Sequence, residues 1–136
     1  MRYVLDTNTW IAAFFRRMPH VKARLVTALE QGHELCIIPI VYYELMRGLQ
    51  LKDNVQGMHE ITHFWSLISY YEATKLIWDE AVRLWVMSTK HNTMPGDKDI
   101  LIAAFALQLG ATVVTRNVRH FSIFQVPVEN WIDGTP

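Results

Sequence analysis

The stretch that decides the fold is Arg2-Tyr3-Val4-Leu5-Asp6-Thr7-Asn8-Thr9-Trp10-Ile11-Ala12-Ala13-Phe14-Phe15. Its first four residues include the β-branched and aromatic side chains that predict a short buried strand. The polar residues from Asp6 to Thr9 are types that cap helices, and a strongly apolar run follows them. We therefore predict a strand, a tight turn and a helix.

The same alternation continues along the chain. Further strands are predicted at 33–38, 69–71, 111–115 and 126–128. Helices are predicted at 19–29, 40–51, 73–91 and 100–109, and another runs to about 69 after a polar break formed by 52–54 and Gly57. The pattern predicts an α/β fold of three layers, α/β/α, with a central parallel sheet of about five short strands. Because neither repeats nor linkers interrupt it, we expect a single domain over 1–136.

Two helices have a face that the spacing predicts to be buried. In 73–91 this face carries Ile77, Ala81, Leu84, Trp85 and Ser88. In 40–51 it carries Val41, Leu45 and Leu49, with the carboxylate of Glu44 beside them. An acidic residue at that position is unusual enough to be a candidate for function.

Composition limits the classes of function. The 136 residues are 51% hydrophobic, no apolar stretch is long enough to span a bilayer, and no signal peptide is recognisable. A single cysteine, Cys36, cannot form an internal disulfide and suits a reducing, cytoplasmic compartment. The formal net charge is zero, so RNA would have to be bound by local basic clusters such as Arg116 with Arg119.

Polar residues are predicted to converge on one edge of the sheet. The carboxyl ends of parallel strands form the sites of open α/β sheets. Asp6 ends the first strand, Asn117 follows the strand at 111–115, Asp97 and Asp99 begin the helix before that strand, and Glu44 lies on the helix after the second strand. Simpler roles stay open: Asp6, and either Asp97 or Asp99, could be helix N-caps, Glu44 an exposed residue and Asn117 a turn residue.

Clustered carboxylates predict a metal site, because they repel one another unless a cation neutralises them. Hard oxygen ligands select Mg²⁺ or Mn²⁺, which activate water and stabilise charge on phosphate, so the predicted reaction is phosphodiester hydrolysis. A zinc site at His59 and His63 is disfavoured, since no acidic general base lies between them. Phosphate loops, a serine nucleophile elbow and a basic neighbour for Cys36 are absent from the sequence.

Four blocks of sequence resemble those of PIN-domain proteins, and most of all the VapC toxins of toxin–antitoxin pairs. They are Tyr3-Val4-Leu5-Asp6-Thr7-Asn8, Tyr43-Glu44-Leu45-Met46-Arg47-Gly48-Leu49, Asp99-Ile100-Leu101-Ile102-Ala103-Ala104 and Val114-Thr115-Arg116-Asn117-Val118-Arg119-His120-Phe121. The resemblance implies that Asp6, Glu44 and Asp99 are the acidic metal ligands and that Asn117 adds a polar group to the catalytic set. Secondary candidates are Asp97, as a cap or a group behind the ligands, and His120, Thr7, Asn8, Thr115 and Arg116.

One position departs from the family pattern. Many relatives have an acidic residue before the phenylalanine of the last block, where this chain has His120. The change puts a tightly held second ion in doubt. It leaves His120 open to a role in binding phosphate, in moving a proton, or only in packing on Phe121.

The resemblance also implies partners: an RNA substrate that is structured, such as a tRNA, a VapB-like antitoxin whose C-terminal segment covers the acidic site, and a second copy of the chain in a homodimer. The main alternative is a PIN-like domain that binds RNA or protein without cutting. A phosphatase or DNA nuclease could use the same carboxylates. A response-regulator-like domain is disfavoured because Thr115, at the end of a late strand, is followed by arginine and not by lysine.

Overall fold

The computed structural model describes residues 1–134 and contains one parallel sheet of five strands. In chain order these are β1 (Arg2–Leu5), β2 (Glu34–Ile37), β3 (Ser69–Tyr70), β4 (Thr112–Val114) and β5 (Val128–Glu129). Every neighbouring pair is parallel, and the spatial order is β3-β2-β1-β4-β5. The predicted α/β fold with about five short parallel strands is confirmed.

Six helices connect the strands: α1 (Thr7–Phe14), α2 (Pro19–Glu30), α3 (Pro39–Leu51), α4 (Val55–Trp65), α5 (Lys75–Lys90) and α6 (Asp97–Leu109). A 3₁₀ segment, Val118–Phe124, follows β4. Proline occupies the first turn of α2 and α3, where its missing N–H costs no hydrogen bond. Gly110 ends α6 in the left-handed conformation, with φ 61°.

Strand order explains why the site lies beside β1. The chain adds β2 and β3 on one side of β1, then returns to add β4 and β5 on the other. Right-handed crossovers in these two directions place α1 to α4 on one face of the sheet and α5 with α6 on the other. The direction reverses between β1 and β4, and the carboxyl ends of strands at such a reversal form the usual crevice of an α/β fold.

The structure corrects the predicted start of two helices. Helix α6 begins at Asp97, with Gly96 as N-cap, so neither Asp97 nor Asp99 caps it. Helix α4 begins at Val55 and includes Gly57, because the side chain of Asn54 accepts a hydrogen bond from the Gly57 N–H at 2.9 Å. In both cases the N-cap residue lies further toward the N-terminus than the pattern of apolar residues predicts.

Burial of the helix faces is mostly as predicted. Ile77, Ala81, Leu84 and Ser88 of α5 are buried, as are Val41, Leu45 and Leu49 of α3. The prediction for Trp85 is wrong: it is 49% exposed. One residue on from Leu84 turns the side chain by about 100°, which takes Trp85 off the buried stripe.

Cys36 is a buried residue of β2, and burial raises the pKa of its thiol to about 12. A thiol that stays protonated at neutral pH is a packing residue and not a nucleophile. Among residues 1–134, no helix has both the length and the apolar character needed to cross a membrane.

Candidate functional site

Asp6 is the most buried carboxylate of the site, with none of its surface exposed. Its backbone N–H continues the sheet by donating to the Val114 carbonyl at 2.9 Å. Its Oδ1 accepts from the Thr7 N–H at 2.7 Å, so Asp6 is the N-cap of α1. Its Oδ2 accepts from the Thr115 hydroxyl at 2.8 Å. Asp6 therefore caps a helix and also contributes its carboxylate to the sheet edge.

Thr115 and Asn8 hold this carboxylate in place. The Thr115 hydroxyl, fully buried after β4, also accepts from the Asn117 N–H at 3.1 Å. The Asn8 side chain donates to Thr115 Oγ1 at 3.4 Å and accepts from the Arg116 N–H at 3.2 Å. Contacts between the start of α1 and the chain after β4 thus fix the geometry around Asp6.

Glu44 and Asp6 are joined by a lysine. The Lys98 ammonium, in the first turn of α6, lies 3.2 Å from Glu44 Oε1 and 3.4 Å from Asp6 Oδ1. Burial opposes the charge of Lys98, but the carboxylates of Asp6 and Glu44 outweigh it and raise its pKa. Helix α3 and helix α6 therefore meet at the end of β1 through one shared cation.

Asp99 is a buried carboxylate paired with His120. Its Oδ2 lies 3.0 Å from His120 Nδ1, and a protonated nitrogen there donates to the carboxylate. Burial raises the pKa of Asp99, the negative charge of Asp6 raises it further, and His120 acts in the opposite direction. The negative charges of Asp6 and Asp99 therefore oppose each other.

Most of the remaining predicted residues lie on the surface around the carboxylates. Asp97, Arg116 and Asn117 are exposed. Arg116 Nε is 3.5 Å from Asp133 Oδ2. Within residues 1–134, the Asn117 backbone N–H donates to Thr115 Oγ1, and the Asn117 side chain forms no hydrogen bond. The Thr7 hydroxyl is buried beside Asp6 without a hydrogen-bond partner in the same residues. The structure thus brings Asp6, Glu44 and Asp99 to one edge and leaves Asp97 and the Asn117 side chain outside the network.

The donor set suits a hard divalent cation. The three buried or half-buried carboxylates offer only oxygen, and two cationic or ionisable nitrogens, from Lys98 and His120, already contact them. Across residues 1–134 no three acidic, histidine or cysteine side chains are drawn together as a finished ligand set. With Lys98 between Asp6 and Glu44, the carboxylates are held apart around an ammonium group.

A cleft opens from Asp99 toward solvent. Its volume is about 300 Å³, and it is bordered by the loop before α6 and by the 3₁₀ segment, with Gly96, Asp99, Arg119, His120 and Ser122 in its wall. Arg119 is exposed there. The cleft therefore reaches the site at Asp99 and His120.

Sequence reasoning missed Lys98. Its position between two aspartates gave no local reason to prefer it over any exposed lysine at the start of a helix. Its role depends on Asp6 and Glu44, which are 92 and 54 residues away in sequence. Only the assembled fold reveals the contact.

Asp99 leads to a prediction about stability and pH. Since its pKa is raised in the folded protein, the unfolded chain loses this proton first, and folding is weakened as pH rises from about 4 through the folded pKa. Asp99→Asn removes the ionisation. Thermal melting in chelator should give the variant a higher Tm than wild type by about 2–4 °C at pH 7 and no advantage at pH 3. An equal difference in Tm at both pH values would contradict a raised pKa of Asp99 in the folded protein.

Comparison with known proteins identifies related chains. The family model described as "PIN domain" matches residues 3–124. The chain is 27% identical over 140 aligned positions to "Ribonuclease VapC1" of Haemophilus influenzae (strain R2866), covering 99% of each protein. The match therefore extends over nearly the whole length of both.

Solved structures show the same fold. A crystal structure of VapBC2 from Rickettsia felis, bound to a DNA fragment from the promoter, matches with TM-score 0.87 and 25% identity, over 96% of this chain and 99% of that one. A structure of VapBC-1 from nontypeable Haemophilus influenzae matches with TM-score 0.82 and 26% identity, over 96% and 98%. The agreement extends over nearly the whole of each chain.

Proposed function

Because the chain belongs to the PIN-domain family, we propose that it is a metal-dependent endoribonuclease and the toxin of a toxin–antitoxin pair. The observation that carries the proposal is the arrangement around Lys98 beside the end of β1, where strand order reverses between β1 and β4. Lys98 joins Asp6 to Glu44, and Asp99 lies in the same first turn of α6. Relatives named as VapC ribonucleases, matched over their full length, support the same reading.

Asp6, Glu44 and Asp99 are the proposed ligands of Mg²⁺ or Mn²⁺, with Asn117 as a further polar group. When bound, the cation supplies positive charge for the phosphate and lowers the pKa of a water molecule. The other residues act on the ligands. Thr115 and the Thr7 N–H orient Asp6, and His120 orients Asp99.

The substrate is proposed to be a structured RNA such as a tRNA. The net charge of zero gives no general attraction to nucleic acid, so recognition must be local. Arg119 and His120 in the wall of the cleft are placed to contact phosphates beside the cut bond, and Arg116 is exposed just after β4. Binding should depend on RNA shape near these residues rather than on long-range charge.

Two protein partners are proposed. A VapB-like antitoxin is supported by the VapBC complexes among the structural relatives. A second copy of the chain is supported by α5, where Trp78, Val82 and Trp85 are exposed on one side of the helix at spacings of four and three residues. An exposed apolar stripe of this kind is costly for a monomer in water.

The decisive experiment is an RNA cleavage assay. Purified protein should cut a pool of structured RNA when Mg²⁺ or Mn²⁺ is added. It should lose this activity in excess EDTA, because the carboxylates then no longer share a divalent cation. DNA of matched sequence serves as control. Undiminished cutting in EDTA would contradict the metal dependence.

A second function is favoured by two contacts: Lys98 already offsets part of the negative charge of Asp6 and Glu44, and His120 already pairs with Asp99. Under this alternative the domain binds RNA or protein without cutting. Retained RNA binding in a mobility-shift assay, with no cleavage under any divalent ion, would select it.

A further inference from the structure

Lys98 lies where its charge is unfavourable for its own helix. It occupies the first turn of α6, whose N-terminus carries partial positive charge that repels cations. Burial also opposes its charge, since only 31% of the side chain is exposed. Neither helix stability nor solvation accounts for an ammonium group at this point.

The carboxylates of Asp6 and Glu44 compensate for that placement. They come from the end of β1 and from α3, and the ammonium contacts both, at 3.4 and 3.2 Å. Asp6 has no exposed surface, so without a cation its charge would be buried beside that of Asp99. Lys98 therefore supplies the positive charge that the acidic edge needs.

We infer that Lys98 is a built-in counter-ion, which occupies the carboxylates of Asp6 and Glu44 in the metal-free protein and competes with the divalent cation for them. The inference rests on the proposed function, because it concerns the same carboxylates. Lys98 is a positioning residue in this scheme, acting on the ligands and not on the substrate.

The long lysine side chain makes the exchange feasible. Four methylene groups allow the ammonium to move toward solvent without movement of α6, since the side chain already reaches the surface. Two consequences follow. The metal-free protein is stabilised by Lys98, and part of the free energy of metal binding is spent on displacing it.

The test compares Lys98→Gln with Lys90→Gln, an exposed lysine at the end of α5. Mn²⁺ binding is measured by isothermal titration calorimetry and thermal melting is measured in EDTA. Lys98→Gln should bind Mn²⁺ about tenfold more tightly than wild type, because it removes the one ammonium group that competes for Asp6 and Glu44. It should also melt lower in EDTA, while Lys90→Gln matches wild type in both.

Two further variants keep the outcome decisive. Lys98→Arg retains the positive charge and should bind Mn²⁺ no more tightly than wild type, even if Lys98→Gln folds poorly. Asp6→Asn reports on the metal site itself. Equal or weaker Mn²⁺ binding by folded Lys98→Gln, with binding lost in Asp6→Asn, would overturn the role of Lys98 alone. Mn²⁺ binding by none of the proteins, or equally by Asp6→Asn, would overturn the metal site as well.

Discussion

Asp6→Asn is expected to lower RNA cleavage by about a thousandfold, a loss of about 4 kcal/mol of transition-state stabilisation, in a protein that still folds. The change removes one negative charge from the most buried of the three proposed ligands and leaves its shape intact. Loss of activity should therefore come from weaker metal binding and not from unfolding. Single-turnover cleavage of a structured RNA, at a fixed Mg²⁺ concentration just sufficient for full wild-type activity, measures it.

The hydrogen bonds of Asp6 explain why the variant should fold. An asparagine carbonyl oxygen can still accept from either the Thr7 N–H or the Thr115 hydroxyl. The attraction to Lys98 is lost, but so is the repulsion of Asp99. We expect the Tm in EDTA to stay within about 5 °C of wild type, since these effects oppose each other.

A matched control separates the site from general effects of charge. Asp79→Asn makes the same chemical change at an exposed ion pair with Lys75 on α5. Exposed pairs contribute less than about 1 kcal/mol, so cleavage and melting should both match wild type. If Asp6→Asn retained cleavage within about tenfold, the proposed role of Asp6 as a metal ligand would be wrong.

The fold and the placement of the acidic edge could be predicted because both follow from local pattern. Alternating strands and helices indicate a parallel sheet, and residues that end a strand are carried to its carboxyl edge whatever the details of packing. Asp6 ends β1 by its position in the chain alone. Asp99 is buried because it lies in the first turn of α6, whose apolar residues are buried.

Other features depend on geometry that no local pattern contains. The contact of Lys98 with Glu44, and that of His120 with Asp99, require helices and loops distant in sequence to meet. The prediction that Trp85 is buried fails because an apolar side chain need not face inward, and the position of Trp85 around α5 points it outward. The predicted start of α6 is too late because Gly96 serves as its N-cap, and glycine has no side chain to accept a hydrogen bond.

Trp10 leads to the largest expected effect on stability. It lies on α1, four residues after Asp6, with no exposed surface. Its ring centroid is 5.9 Å from those of both Phe64 and Trp65, so it joins α1 to α4. Trp10→Ala should lower the free energy of unfolding by about 3–5 kcal/mol, through lost burial and the cavity left behind.

Urea denaturation followed by far-UV circular dichroism measures this change, and two variants give it meaning. Trp85→Ala removes the same side chain from a half-exposed position and should cost much less at a protein concentration low enough to keep the chain monomeric, since surface changes usually stay within about 0.5 kcal/mol. Trp10→Phe keeps an aromatic ring and removes a buried indole N–H that has no partner within residues 1–134, so its cost should stay below about 2 kcal/mol. Equal losses for Trp10→Ala and Trp85→Ala would contradict the packing of α1 on α4. Because Asp6 is the N-cap of α1, a protein weakened at Trp10 should also hold that carboxylate less firmly, and its cleavage should fall well before it unfolds.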